Sequence, residues 1–133
     1  MKRSKQVLKE FAKEIVMFSL LTVSIVLLWR DNLTLSIVVL AECLLALGLW
    51  HDQYNLCFFL VVAVLGSVAE VVFVYFGVWQ YANPTFLGVP SWFPSAFGTS
   101  ALAGERLVHT VISMREKKAK EYAKELASKP KEK

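Results

Sequence analysis

The sequence predicts an all-α membrane protein: a four-transmembrane-helix bundle with a short amphipathic N-terminal segment and a polar C-terminal helix. Hydrophobic residues make up 56% of the 133 residues, against roughly 45–50% in ordinary soluble domains. Apolar stretches of about the length needed to cross a ~30 Å hydrocarbon core alternate with short polar ones. Lysine and arginine cluster at both ends of the chain, and between these clusters only Arg30 and Arg106 are basic.

The N-terminal half is predicted to contain two spans. Residues 1–14 form a basic amphipathic juxtamembrane segment, because apolar residues recur among its charges at helical spacing. The first span, 15–29, lies between Lys13 and Arg30, whose charged ends must reach back to water. A tight turn then leads into the second span, 33–50.

The C-terminal half is predicted to contain two further spans and a tail. The third span, 56–79, is the longest apolar stretch, and a proline-rich loop follows it at 80–94. The fourth span covers 95–114. The charged tail, 115–133, is predicted to be a polar cytoplasmic helix that ends at Pro130.

The charge distribution predicts the orientation. An even number of spans places both termini on the same side, and both termini carry Lys/Arg clusters. The positive-inside rule then makes the protein multi-pass with both termini cytoplasmic. The expected partners are the lipid bilayer and, at both basic termini, anionic lipid headgroups.

Charged residues within the apolar stretches are the strongest functional signal. Glu42, Glu70, Glu105 and Arg106 are each predicted to lie near the membrane midplane, where a charge costs roughly 2.5–3.5 kcal/mol on insertion scales. Such residues usually face the interior of a bundle. We therefore expect them to converge, together with His109, in one buried polar cluster.

The loop after the third span carries the second signal. It is itself apolar and aromatic, which is typical of a membrane interface. It is also long enough to fold back over the bundle above Glu70 as a lid. A carboxyl group in apolar surroundings tends to keep its proton and can then act as a general acid. The catalytic candidates are Glu70 and Glu105; the candidates for binding or a proton path are Glu42, Arg106, His109, Trp79, Tyr81 and Asn83.

Part of this region resembles a known family. Glu70, Gly77, Tyr81, Gly88-Val89-Pro90 and Pro94 are similar to the pattern of integral-membrane carotenoid-modifying proteins, the carotenoid hydratases and small lycopene cyclases. The resemblance covers about residues 70–94. It implies acid–base chemistry on an isoprenoid chain, with Glu70 or Glu105 as the buried acid.

Three classes of function follow. The first is a structural or accessory membrane protein, for which Arg106 should be fully paired with Glu105 or Glu70 and no cavity should be present. The second is a membrane-embedded enzyme acting on an isoprenoid or lipid, for which Glu70 and Glu105 should face each other under the aromatic loop. The third is a small proton-coupled transporter acting as a dimer, so a homo-oligomer is a further possibility.

Other sites are not indicated. The basic tails are interleaved with glutamates and lack groove-fitting aromatic elements, so no nucleic-acid partner is expected. Cys43 and Cys57 lie in apolar runs without a CxxC or Cys/His spacing and are expected to be free thiols. No metal and no cofactor are expected, because one histidine beside an arginine makes a poor cation site.

Overall fold

The structure is a computed structural model that describes residues 2–128, with side chains described for 6–125 and 127. This part of the chain forms four α-helices and no β-strand, which confirms the all-α prediction. The predictions for residues 129–133, including a helix end at Pro130, lie outside the described residues. The helices are α1 (Lys2–Leu28), α2 (Asn32–Leu49), α3 (Gln53–Tyr75) and α4 (Phe93–Ser128).

Three of the four helices are long and apolar enough to cross a membrane. These candidate spans are Gln6–Leu28, Asn32–Leu49 and Gln53–Tyr75. The fourth helix does not qualify, so the structure does not confirm a four-span bundle. In place of leucine and valine, much of the N-terminal half of α4 consists of small or hydroxyl-bearing residues, and it also carries charges.

The position of α4 explains this composition. It packs against each of the other three helices, whereas α3 packs chiefly against α4. The glycines at the α3–α4 contact leave room for aromatic rings: Gly66 faces the Phe97 ring, and Gly98 faces the Phe59 ring. Small residues allow this close approach of two helices, while a helix surrounded by protein has less need of an apolar surface.

Two helices are continuous across boundaries that the sequence predicts. The amphipathic segment 1–14 and the first span belong to the single helix α1 from Lys2 onward. The fourth predicted span and the described part of the polar tail form the single helix α4. With 36 residues, α4 is about 54 Å long. Its C-terminal part therefore extends beyond any length needed for a bilayer.

Local signals fix two helix ends. The Asp31 side chain accepts hydrogen bonds from the Leu33 and Thr34 amides at 3.1 Å each and so caps the start of α2. The third helix ends at Tyr75 instead of the predicted residue 79. Gly77 is the cause, because its φ of 71° turns the chain into the left-handed region that ends a helix in the Schellman arrangement.

The loop 76–92 folds back onto the bundle. Phe86 and Val89 pair through two backbone hydrogen bonds around a tight turn in which Leu87 and Gly88 both have positive φ. The Asn32 amide donates to the Asn83 carbonyl at 2.6 Å and joins the loop to the turn between α1 and α2. The α1–α2 turn and the loop 76–92 therefore lie at the same end of the bundle.

Candidate functional site

The predicted polar residues do not form one cluster. The structure places Glu42 between α1 and α2, Glu70 under the loop 76–92, and Glu105, Arg106 and His109 at a cavity beside the α2–α3 turn. A helix places its side chains by rotation about its axis as well as by depth along it. These residues therefore do not meet, although the sequence predicts similar depths for them in the membrane.

Glu42 is the acid that remains in the middle of its helix. Its side chain is 6% exposed, and one carboxylate oxygen accepts a hydrogen bond from the Ser24 hydroxyl at 2.6 Å. The other oxygen is buried without a partner among the described residues. This hydrogen bond joins α1 to α2 and so has a structural role. The sequence did not indicate that role, because Ser24 lies in an otherwise apolar helix.

Glu70 lies about one and a half helical turns before the end of α3 at Tyr75. Its carboxylate accepts hydrogen bonds from the Trp79 indole at 3.0 Å and from the Tyr81 hydroxyl. The Trp79 ring also contacts Phe73 in α3, with the ring centroids 5.2 Å apart. The expected folding of the aromatic loop over Glu70 is therefore observed.

The contacts of Asn83 are with the α1–α2 turn, whereas those of Glu70 are with Trp79 and Tyr81. Its side-chain amide donates to the Trp29 carbonyl at 3.0 Å, at the end of α1. The neighbouring contacts, from Asn32 to the Asn83 carbonyl and to the Thr85 hydroxyl at 2.9 Å, join the same two segments. These contacts hold the loop on the α1–α2 turn.

The remaining predicted residues share a polar cavity of about 600 Å³. The Glu105 carboxylate and the His109 imidazole are 2.7 Å apart on one face of α4, and Arg106 lies beside them with its guanidinium 5.9 Å from the centre of the Trp50 ring. Asp52, at the turn between the candidate spans of α2 and α3, lines the same cavity. These groups therefore lie level with the turn that joins α2 to α3, and the midplane position of Glu105 and Arg106 stays a prediction.

Sequence reasoning missed the most deeply buried carboxylate. Glu14 is 1% exposed and accepts a hydrogen bond from the Thr110 hydroxyl at 2.7 Å, which joins α1 to α4. A signal was present, because Glu14 continues the buried stripe that Met17, Leu21 and Ser24 form at spacings of three and four residues. The charge pattern instead predicts that residue 14 ends a basic amphipathic juxtamembrane segment.

The geometry differs from what was expected of an accessory protein, with Arg106 paired and no cavity, and from what was expected of an enzyme, with Glu70 facing Glu105. The Arg106 Nε atom is buried without a partner in the described part of the chain, and Arg106 forms no ion pair there with Glu105 or Glu70. Glu70 and Glu105 do not face each other, since they belong to the loop contact and to the cavity respectively. Among residues 2–128, no group of three His, Cys, Asp or Glu side chains is arranged to hold a metal ion.

Tyr81 should remain protonated in unusually alkaline solution. Burial raises the pKa of Tyr81, and the hydrogen bond and negative charge of Glu70 raise this pKa further. The stabilisation from the neutral phenol is complete below the ordinary tyrosine pKa of about 10 and is lost as pH rises through the higher folded-state pKa. The absorbance difference at 295 nm between wild type and Tyr81→Phe should therefore develop only well above pH 10.

Two controls accompany this titration. In denaturant, the same difference should develop near the ordinary tyrosine value. In the Glu70→Gln background, it should move toward that value, because the negative charge is gone. A difference that develops near pH 10 in the folded wild-type protein would mean that Tyr81 does not contact Glu70.

Comparison with known proteins gives one similarity. No family model matches the chain, and no solved structure matches it. The chain is 35% identical to Insulin-induced gene 1 protein of Bos taurus over 73 residues, which are 52% of this chain and 25% of that protein. The matched part thus spans about a quarter of the length of this relative.

This similarity overturns the resemblance to carotenoid hydratases and small lycopene cyclases. The protein that matches is a multi-pass membrane protein and belongs to neither of those groups. Glycine, proline and aromatic residues recur at membrane turns for physical reasons, and here Gly77 and Gly88 serve local backbone turns. The three apolar helices and the matched relative together indicate an integral, multi-pass membrane protein.

Proposed function

We propose that this protein has a structural or accessory role in the membrane and does not catalyse a reaction or transport protons. In this proposal α4 crosses the bilayer as a fourth span, both termini are cytoplasmic, and the basic ends contact anionic headgroups. The described basic residues of the α4 tail, which include Lys118, Lys120 and Lys124, would supply part of that contact. Homo-oligomer formation stays a prediction of the sequence.

The observation that carries the proposal is the separate local contact that each of the three acids predicted to converge makes with its own neighbour. Glu42 is bonded to Ser24, Glu70 to loop side chains and Glu105 to His109. General acid–base chemistry needs a proton donor or acceptor within hydrogen-bond reach of a substrate, and a relay needs titratable groups in series. The arrangement found here therefore supports a structural role for these acids, in which they hold the helices in position.

The fourth span is supported by packing. The N-terminal half of α4 has neighbours from all three apolar helices, and Ala96, Thr99, Leu102 and Ala103 are buried among them. If α1, α2 and α3 cross a bilayer, α4 must lie at the same depth. Its polar groups are then covered by protein, as polar groups at membrane depth require.

Labelling from one side of the membrane tests this topology. In a background with Cys43→Ala and Cys57→Ala, a membrane-impermeant thiol reagent should label Phe86→Cys from outside intact cells. It should label Lys124→Cys only after permeabilisation. Labelling of both positions from the same side would show that α4 does not cross, and the reverse pattern would refute cytoplasmic termini.

Proton flux separates an accessory protein from a transporter. Liposomes containing the wild-type protein should dissipate an imposed pH gradient at the rate of protein-free liposomes, and Glu42→Gln or Glu105→Gln should not change this rate. Faster dissipation that is lost in one of these variants would assign a proton path to that residue. Gramicidin-treated liposomes provide the positive control for the pH-sensitive dye.

A further inference from the structure

The polar cavity beside the α2–α3 turn contains two opposite charges that do not meet. Its volume of about 600 Å³ is within the roughly 300–1,000 Å³ typical of ligand sites. It lies between α1 and α3, which both pack on α4, and residues from all three helices line it. Because Asp52 connects two candidate spans, the cavity is at the level where those spans end.

Local pairs account for most of the charge around this cavity. Glu10 is paired with Lys13 at 2.8 Å, and the Glu105 carboxylate lies 2.7 Å from the His109 imidazole. The other Glu105 oxygen is buried without a partner among the described residues, and two groups that line the cavity, Asp52 and Arg106, have no ion pair in that part of the chain.

Each of the two remaining groups lacks a hydrogen-bond partner of its own. Asp52 precedes α3, but its side chain makes no capping hydrogen bond to the start of that helix. The Nε atom of Arg106 is buried and unpartnered among the described residues. A buried guanidinium donor without an acceptor is costly, so a bound acceptor at this point would stabilise the protein.

We propose that this cavity binds a phosphate–ammonium zwitterion, namely the headgroup of an ethanolamine phospholipid. Arg106 holds the phosphate, since a guanidinium matches phosphate oxygens in geometry and charge. Asp52 accepts hydrogen bonds from the primary ammonium group. A purely anionic headgroup would meet the carboxylates of the cavity, and a choline headgroup has no N–H to donate to Asp52. The level of the cavity at the span ends favours a lipid over a soluble compound.

Lipid binding to the purified full-length protein tests this proposal. Dioleoyl phosphatidylethanolamine should bind about tenfold more tightly than the choline or glycerol lipid with the same acyl chains, as judged by native mass spectrometry and thermal unfolding in neutral detergent. Arg106→Gln and Asp52→Asn should each weaken ethanolamine-lipid binding by about tenfold, since each removes a hydrogen bond to a charged group. Arg30→Gln, the same change in the α1–α2 turn and outside the cavity, should leave binding unchanged.

The possible outcomes are distinct. Equal binding of the three lipids, or unaltered binding by both cavity variants, would refute the site. Preference for the glycerol lipid would show a simple anion site instead. If free phosphoethanolamine competes at the same concentration as the lipid, the ligand is a soluble zwitterion and the lipid assignment fails. Should Arg106→Gln not fold, Asp52→Asn at the exposed turn decides the test. None of these results depends on the proton-flux measurement.

Discussion

Replacing Gly98 by alanine should weaken the contact between α3 and α4 and destabilise the protein. A Cβ atom at this position would lie 2.6 and 2.8 Å from atoms of the Phe59 ring, closer than Cβ contacts in folded proteins, and 3.0 Å from the Ala63 Cβ, which is a tight contact. Overpacking of this kind typically costs about 1–3 kcal/mol. The effect should appear as a lower midpoint of thermal unfolding in detergent, followed by circular dichroism.

The same helix offers a matched control. A Cβ at Gly104 would have nothing within 4 Å, so Gly104→Ala should leave the unfolding midpoint unchanged or raise it. In the Gly98→Ala background, a smaller residue at position 59 should cost less than it does alone, because the two changes share one contact. Equal effects of Gly98→Ala and Gly104→Ala would mean that α3 does not pack on α4 as described.

Replacing Thr110 by valine should have the second large effect. The change removes the only hydroxyl that the structure places on the Glu14 carboxylate, whose other oxygen is already buried without a partner among the described residues. Leaving a buried polar group unsatisfied costs about 1–3 kcal/mol, and more when the group is charged. Thr110→Val should therefore lower the unfolding midpoint, although valine fills nearly the same volume.

Two further variants define this result. Thr110→Ser keeps a hydroxyl and should recover most of the loss. Thr22→Val makes the same chemical change at an exposed site on α1, where the hydroxyl bonds only to the Phe18 carbonyl of its own helix at 2.8 Å, and should have little effect. If Thr110→Val is as mild as Thr22→Val, then Glu14 is satisfied by other means and the α1–α4 pair is not a determinant of the fold.

Arg106 links the buried acid to the cavity. Thr110, which donates to Glu14, lies four residues after Arg106 on α4, and both residues line the cavity. A stable α1–α4 contact would hold Arg106 in position for a headgroup. Loss of the Glu14–Thr110 hydrogen bond is thus expected to affect stability first and lipid binding only secondarily.

The sequence by itself determined the helical class, three apolar spans and the ends of several helices. These features depend on local chemistry: the length of apolar stretches, the Asp31 cap and the placement of glycine and proline. The sequence also indicated that the loop after α3 could return over Glu70. It overextended the third span, because Gly77 in an apolar run looks like a packing residue until its backbone angle is known.

Only the tertiary structure decided which polar residues meet. Glu42 contacts α1, Glu70 contacts the loop, and Glu105 lines the cavity. These partners differ because packing along whole helix faces sets how each helix is rotated and which helices it contacts. The same packing made Glu14 a buried residue and α4 the helix that contacts all the others. Hydropathy averages report how well a helix suits lipid, so they do not decide the position of a helix whose neighbours are protein.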